Sequence, residues 1–269
     1  MSASGNNSED QVELASGETL HSELGGFRLS ISLLDNEWQV RTIRASDPPD
    51  ASEWRQWREQ GVPVNDSALQ RFIRAGESGR LEIRPALADL PVVIRPYHPV
   101  HIPPESDVTF YVSTIVWLQL VIDTGRVLME VPLRIPSWTW IGSDTMEGEI
   151  CYGSQTAARL DPATLPANTW RAMSAVTVRN RGVDYLTLER FSFPAPMTPL
   201  FRQDDSGSGS LRRLWTPSLT IIGERSLATA SIRIEAVPPA EAGPCTELTP
   251  ARQLAERNHL VRTMDRIFG

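Results

Sequence analysis

The chain has 269 residues, of which 41% are hydrophobic and 22% charged, and a formal net charge of −7. All 26 permanent cations are arginine, which excludes chemistries built on an ε-amine: the P-loop lysine, the kinase strand lysine and Schiff-base catalysis. Arginine replaces none of these, because its guanidinium keeps its proton near neutral pH. The acidic balance, with arginines spread along the chain, argues against a nucleic-acid partner, which needs a dense basic surface. Codon usage in a GC-rich genome is the simplest source of the missing lysine.

Residues 1 to about 16, rich in Ser, Asn, Gly and acids, read as a disordered tail. A β-meander follows. One strand ends near Leu24, Gly25-Gly26 makes a hairpin turn, and Phe27–Leu33 alternates before Asp35-Asn36 turns the chain into Trp38–Ile43. Asp47-Pro48-Pro49-Asp50 breaks the sheet, and Ser52–Glu59 is expected as a short helix with Trp54 and Trp57 on one face. Strands resume at Leu69–Ile73 and Leu81–Ile83. Five prolines between Leu90 and Pro104 mark an edge strand or an extended crossover, and the best place to divide the chain.

Val108–Ile122 carries no charge but is shorter than the roughly 20 residues of a membrane span, and its apolar residues alternate. It therefore reads as a strand with a bend at Ser113-Thr114, and no integral membrane segment is expected. Asp123-Thr124-Gly125 turns into Val127–Ile135. Further strands are expected at Gly148–Tyr152, Arg171–Val178, Tyr185–Phe193, Leu200–Arg202, Leu214–Ile222 and Ala228–Ala236. A parity flip between Leu188 and Phe191 points to a β-bulge, and Asp204–Ser210 to a hairpin tip. Thr249 as N-cap, Pro250 at N1 and an apolar face of Leu254, Leu260, Val261, Met264, Ile267 and Phe268 predict a C-terminal amphipathic helix over 249–269. The expected fold is all-β: an antiparallel β-sandwich over 17–247, divisible near 90–104, with a short helix in its N-terminal half and a C-terminal helix (248–269) packed on the sandwich.

Two cysteines, Cys151 and Cys245, are too few for a disulfide framework or a four-thiolate zinc site. With no basic and apolar leader at Met1–Asp10, a cytoplasmic location is expected. The densest run of unusual residues is Ser137–Glu149, which holds Trp138, Trp140, Asp144, Glu147 and Glu149. Three carboxylates in one loop could converge on calcium or magnesium, although the EF-hand spacing is missing. They could equally form an acid/base pair beside a tryptophan platform for a sugar. Set against both, acids in turns are commonly only solvated, and tryptophans on strands commonly pack.

His98 and His101 are flanked by prolines that forbid a helix, so a zinc pair there would need a turn and further ligands. His21 and His259 have no local partner that marks them. A G-x-S-x-G elbow and a G-x-G-x-x-G loop are both missing, and no cofactor is expected.

The run Pro91–Arg159 resembles a prokaryotic family catalogued as domain-of-unknown-function family 432. Pro99-Val100-His101-Ile102-Pro103-Pro104, the strand through Trp117, Glu130-Val131-Pro132 and Gly148-Glu149-Ile150-Cys151-Tyr152 carry the likeness, with echoes at Thr156–Arg159, Arg171-Ala172 and Leu214-Trp215-Thr216. The resemblance brings no activity and no catalytic residues. It implies that the Trp138–Tyr152 region is a family feature.

The sequence thus leads to a non-enzymatic binding or accessory module for a protein partner or small ligand, engaged through the C-terminal helix or the 137–149 loop. The alternatives are a hydrolase of a sugar or ester using Asp144, Glu147 or Glu149, and a divalent-cation site on the same residues.

Overall fold

The computed structural model describes residues 11–45, 54–64, 68–74, 76, 78–122, 125–142, 148–165, 170–204, 213–223 and 231–253. The first seven strands are β1 Gln11–Glu13, β2 Glu18–Leu24, β3 Phe27–Leu33, β4 Glu37–Arg44, β5 Trp54–Gln60, β6 Leu69–Ile73 and β7 Arg80–Ala86. Then come β8 Val92–Pro96, β9 Val100–Ile102, β10 Ser106–Ile115, β11 Trp117–Ile122 and β12 Arg126–Pro132. The hairpin of β13 Ser137–Gly142 and β14 Gly148–Thr156 precedes β15 Arg171–Asn180, β16 Leu186–Leu188 and β17 Phe191–Phe193. The last strands are β18 Leu200–Gln203, β19 Leu214–Trp215, β20 Leu219–Gly223, β21 Ser231–Ile234 and β22 Cys245–Thr249. The fold is all-β. The helices among the described residues are single 3-10 turns, at Pro162–Thr164, Ala195–Met197 and Ala240–Ala242.

Two compact units form. The first runs to Arg84 and takes back Leu118–Leu133. It holds a sheet of order β1-β7-β11-β12 and a five-stranded sheet of order β5-β2-β3-β4-β6. In the five-stranded sheet the period of two sorts residues by face. Leu20, Leu29, Ile31, Leu33, Trp38 and Val40 are buried on one side, while Thr19, His21, Ser30, Ser32 and Arg41 line the other. Gly25 supplies the positive φ (58°) that its tight hairpin turn needs.

The second unit comprises Pro85–Trp117 and residues from Arg134 onward. Its sheets run β21-β20-β15-β19-β18-β22 (with β10 on β15), β13-β14-β8-β17, and β16-β9. Pairing is mixed: β14 with β8, and β15 with both β19 and β20, are parallel. Tyr111, Leu165, Met173, Ala175, Trp215 and Ala242 pack into one core cluster. Arg171 ties β10, β14 and β15 together by donating to the carbonyls of Ser113 and Gln155 and the hydroxyls of Ser113 and Ser154. Burial pushes its pKa down to about 10.

Several expectations are corrected. Residues 54–60 form a strand where a helix was expected, because seven register pairs with β2 satisfy its backbone. Thr249 ends β22 and its hydroxyl donates to the Pro85 carbonyl, so it caps no helix. The remaining C-terminal helix positions, 254–269, lie outside the described residues, as do Asp47–Asp50 and residues 1–10. Gln11–Glu13 is ordered on β7. The proline-rich stretch holds a central strand: β8 lies between β14 and β17, and its prolines sit just before it and at its last position, where no ladder bond is lost. The break in the long apolar run falls at Val116 rather than Ser113-Thr114, and β16 and β17 belong to different sheets rather than flanking a bulge.

Candidate functional site

The β13–β14 hairpin pairs Trp138 with Tyr152, Trp140 with Ile150 and Ile141 with Glu149. Facing residues of an antiparallel pair project to the same side. Trp138, Trp140, Ile150 and Tyr152 therefore share one face, and Ile141, Glu149 and Cys151 share the other. Trp140 lies over Gly148 so closely that a Cβ there would overlap the indole and crowd the Ile141 carbonyl. Glycine at this position is what leaves room for the ring.

The register continues across the sheet. Tyr152 is the neighbour of Val92, and Val92 of Phe193. Phe193, Val92, Tyr152 and Trp138 thus form one apolar row across four strands, with exposures of 0%, 4%, 8% and 66%. Burial holds for three strands and stops at the fourth. Trp140 and Ile150, beside Trp138 on the same face, are exposed as well, as is Ile135 just before β13.

Tyr152 anchors the row. Its ring lies 5.2 Å from Trp117 and 4.9 Å from Trp138, and its hydroxyl donates to an Asp89 carboxylate oxygen at 3.0 Å. Among the described residues β13 is the edge of its sheet. An edge strand with apolar side chains and no charge is a ready surface for another chain.

Of the acids expected to act here, Glu149 is exposed on the face opposite the tryptophans, so the hairpin does not bring its carboxylate onto an indole platform. Asp144 and Glu147 lie outside the described residues. No group of three or more His, Cys, Asp or Glu that could hold a metal ion occurs among the described residues. Both thiols are hard to ionise: burial, then the Glu149 charge, pushes Cys151 up to about 11, and burial, then Asp204, raises Cys245. His98 and His101 are exposed, and the His101 ring bonds the Thr187 hydroxyl at 3.0 Å.

His21, unmarked in the sequence, sits in a built environment in the first unit. Its Nδ1 is 2.8 Å from the Ser30 hydroxyl, its ring stacks on Trp57 at 5.0 Å and 16°, and its Nε2 is 3.5 Å from Glu59. Burial lowers its pKa and outweighs the neighbouring Glu59 charge, while Arg28 acts with burial. The signal was available. Counting outward from Gly25-Gly26 pairs Leu24 with Phe27 and hence His21 with Ser30. Ser30 itself is buried in mid-strand, which suits a structural hydroxyl better than a nucleophile.

Among the described residues, no helix is long and apolar enough to cross a membrane. No curated protein and no solved structure matches the chain at a significant level. A family model described as Protein of unknown function (DUF432) matches residues 10–268, nearly end to end, and extends well beyond the segments that carried the resemblance. The chain belongs to the DUF432 family.

Proposed function

We propose that this protein is a non-enzymatic binding module, built on β-sandwich scaffolding, that recognises a protein partner through Trp138, Trp140 and Ile150. The observation that carries the reading is the row Phe193–Val92–Tyr152–Trp138, a core row whose last member is left in solvent. Tryptophan is the residue most enriched in interface hot spots, because one rigid side chain buries a large area at small entropic cost. The unguarded edge of β13 adds backbone groups that an extended partner segment can bond. Two free cysteines suit a reducing cytoplasm. For the hydrolase alternative, the Glu149 placement offers no support.

The test uses the full chain as bait in native lysate, identifies the stoichiometric partner and titrates the two purified proteins calorimetrically. Trp138→Ser with Trp140→Ser is expected to weaken binding at least about 30-fold, with the melting temperature held within a few degrees. Equal affinity for wild type and variant would sink the reading.

A further inference from the structure

We propose that the C-terminal segment 254–269 docks on the exposed end of this same row, covering Trp138, Trp140 and Ile150 in competition with the partner. As a statement about regulation it rests on the binding reading above. The argument starts from where the described chain stops. Thr249 bonds the Pro85 carbonyl, and Arg252 donates to the Leu87 carbonyl at 2.7 Å. The end of β22 and the residues just past it thus lie beside residues 85 to 87, held there by two side chains. Two residues beyond Leu87 stands Asp89, whose carboxylate holds the Tyr152 hydroxyl. Tyr152 is the row member that packs against Trp138. Gln253 also donates to the Pro196 carbonyl, three residues beyond Phe193 at the other end of the row. The chain therefore leaves the described structure beside the row.

Length and pattern match the gap. Four adjacent strands span about 14 Å, and residues 254–269, sixteen in number, reach about 24 Å as a helix. In the sequence Leu260, Val261, Met264, Ile267 and Phe268 recur at helical spacing, with Arg257, Arg262 and Arg266 between them. That is one apolar stripe for one uncovered apolar strip. Because the tail is tethered, its local concentration at the strip is in the millimolar range, so a partner must displace it.

Hydrogen-exchange mass spectrometry of the full-length protein tests the proposal. Peptides across Ser137–Tyr152 should exchange about tenfold faster in Leu260→Asp/Met264→Asp and in a chain stopped after Gln253. Peptides across Arg171–Asn180 should be unchanged, and Leu260→Met/Met264→Leu should behave as wild type. Unchanged exchange in both disruptive variants overturns the proposal while leaving the partner reading intact. Protection of 137–152 that rises with protein concentration and ignores the tail also overturns it, making a second copy the occupant. Should tail-dependent protection hold while Trp138→Ser/Trp140→Ser leaves partner affinity untouched, the docking stands and the partner reading falls.

Discussion

Two edge strands each carry a pair of tryptophans, and they treat them in opposite ways. On β5, Trp54 and Trp57 stand three residues apart, which on a strand sends them to opposite faces. Trp57 stacks on His21, lies under the Arg28 guanidinium at 5.5 Å and donates to Glu59. Arg55, Arg58 and Glu59 put charge along the same strand, a common guard against edge-to-edge pairing. On β13 the spacing is two, so Trp138 and Trp140 share a face, and Ser137–Gly142 contains no charge. Trp57 is therefore used up internally in one unit, while Trp138 and Trp140 are presented outward in the other. Spacing and neighbours, rather than aromatic content, mark the docking face.

Truncation should separate the two pairs most sharply. Trp57→Ala removes the stack on His21 and the arginine contact, and about 2 kcal/mol of unfolding free energy should go with it. Trp138→Ala, made in the chain stopped after Gln253, should cost less than about 1 kcal/mol, since without the tail most of that indole is in water. Urea unfolding followed by circular dichroism reads both. A Trp138 cost equal to that of Trp57 would break the comparison and make the β13 indoles structural.

A smaller effect tests how Trp140 is held. Gly148→Ala places a methyl where the indole lies and against the Ile141 carbonyl, so the ring must lift or the hairpin must shift, at about 1–2 kcal/mol. Gly76→Ala, where an added Cβ would meet nothing within 4 Å, serves as the control. Equal, negligible effects of both substitutions on stability and on tryptophan fluorescence would show that Trp140 does not depend on that close approach.

Much of this was legible in the sequence, and the failures have physical causes. Alternation and turn residues located the meander through β4, the strand Leu69–Ile73 and the start of β14, but 137–149 reads as a loop, and the strand Ser137–Gly142 that carries Trp138 and Trp140 was missed. The β5 misreading arose because Trp-Arg-Gln-Trp-Arg-Glu-Gln fits a helix by side-chain spacing alone. What decides it is the free edge of β2, a tertiary partner that no local window contains. Proline content misplaced β8 for a related reason, since prolines at a strand's ends look the same in composition as prolines within it. The exposed row joins β17, β8, β14 and β13, whose members Phe193, Val92, Tyr152 and Trp138 are scattered over about a hundred residues. Sequence could nominate Trp138; only the parallel β8–β14 register shows that it terminates a core row.

The smallest effect concerns the stack of His21 on Trp57, and its sign is fixed by His21. Burial lowers the His21 pKa from 6.5, so as pH falls the unfolded chain takes up a proton before the folded one does. The stability His21 confers as a neutral ring is therefore complete above pH 6.5. It declines as pH drops from 6.5 toward the lower folded value, and falls no further below that. Glu59 on β5 opposes this loss by favouring the cation, while Arg28 on β3 adds to it. Glu59→Gln should steepen the acid-side decline, and His21→Asn should remove it while leaving a polar partner for Ser30. Trp138→Ala should leave the pH profile untouched. Unfolding midpoints between pH 5 and 8 that are parallel in wild type and His21→Asn would mean the ring titrates as freely folded as unfolded, and the contrast between a guarded and an open edge would then rest on packing alone.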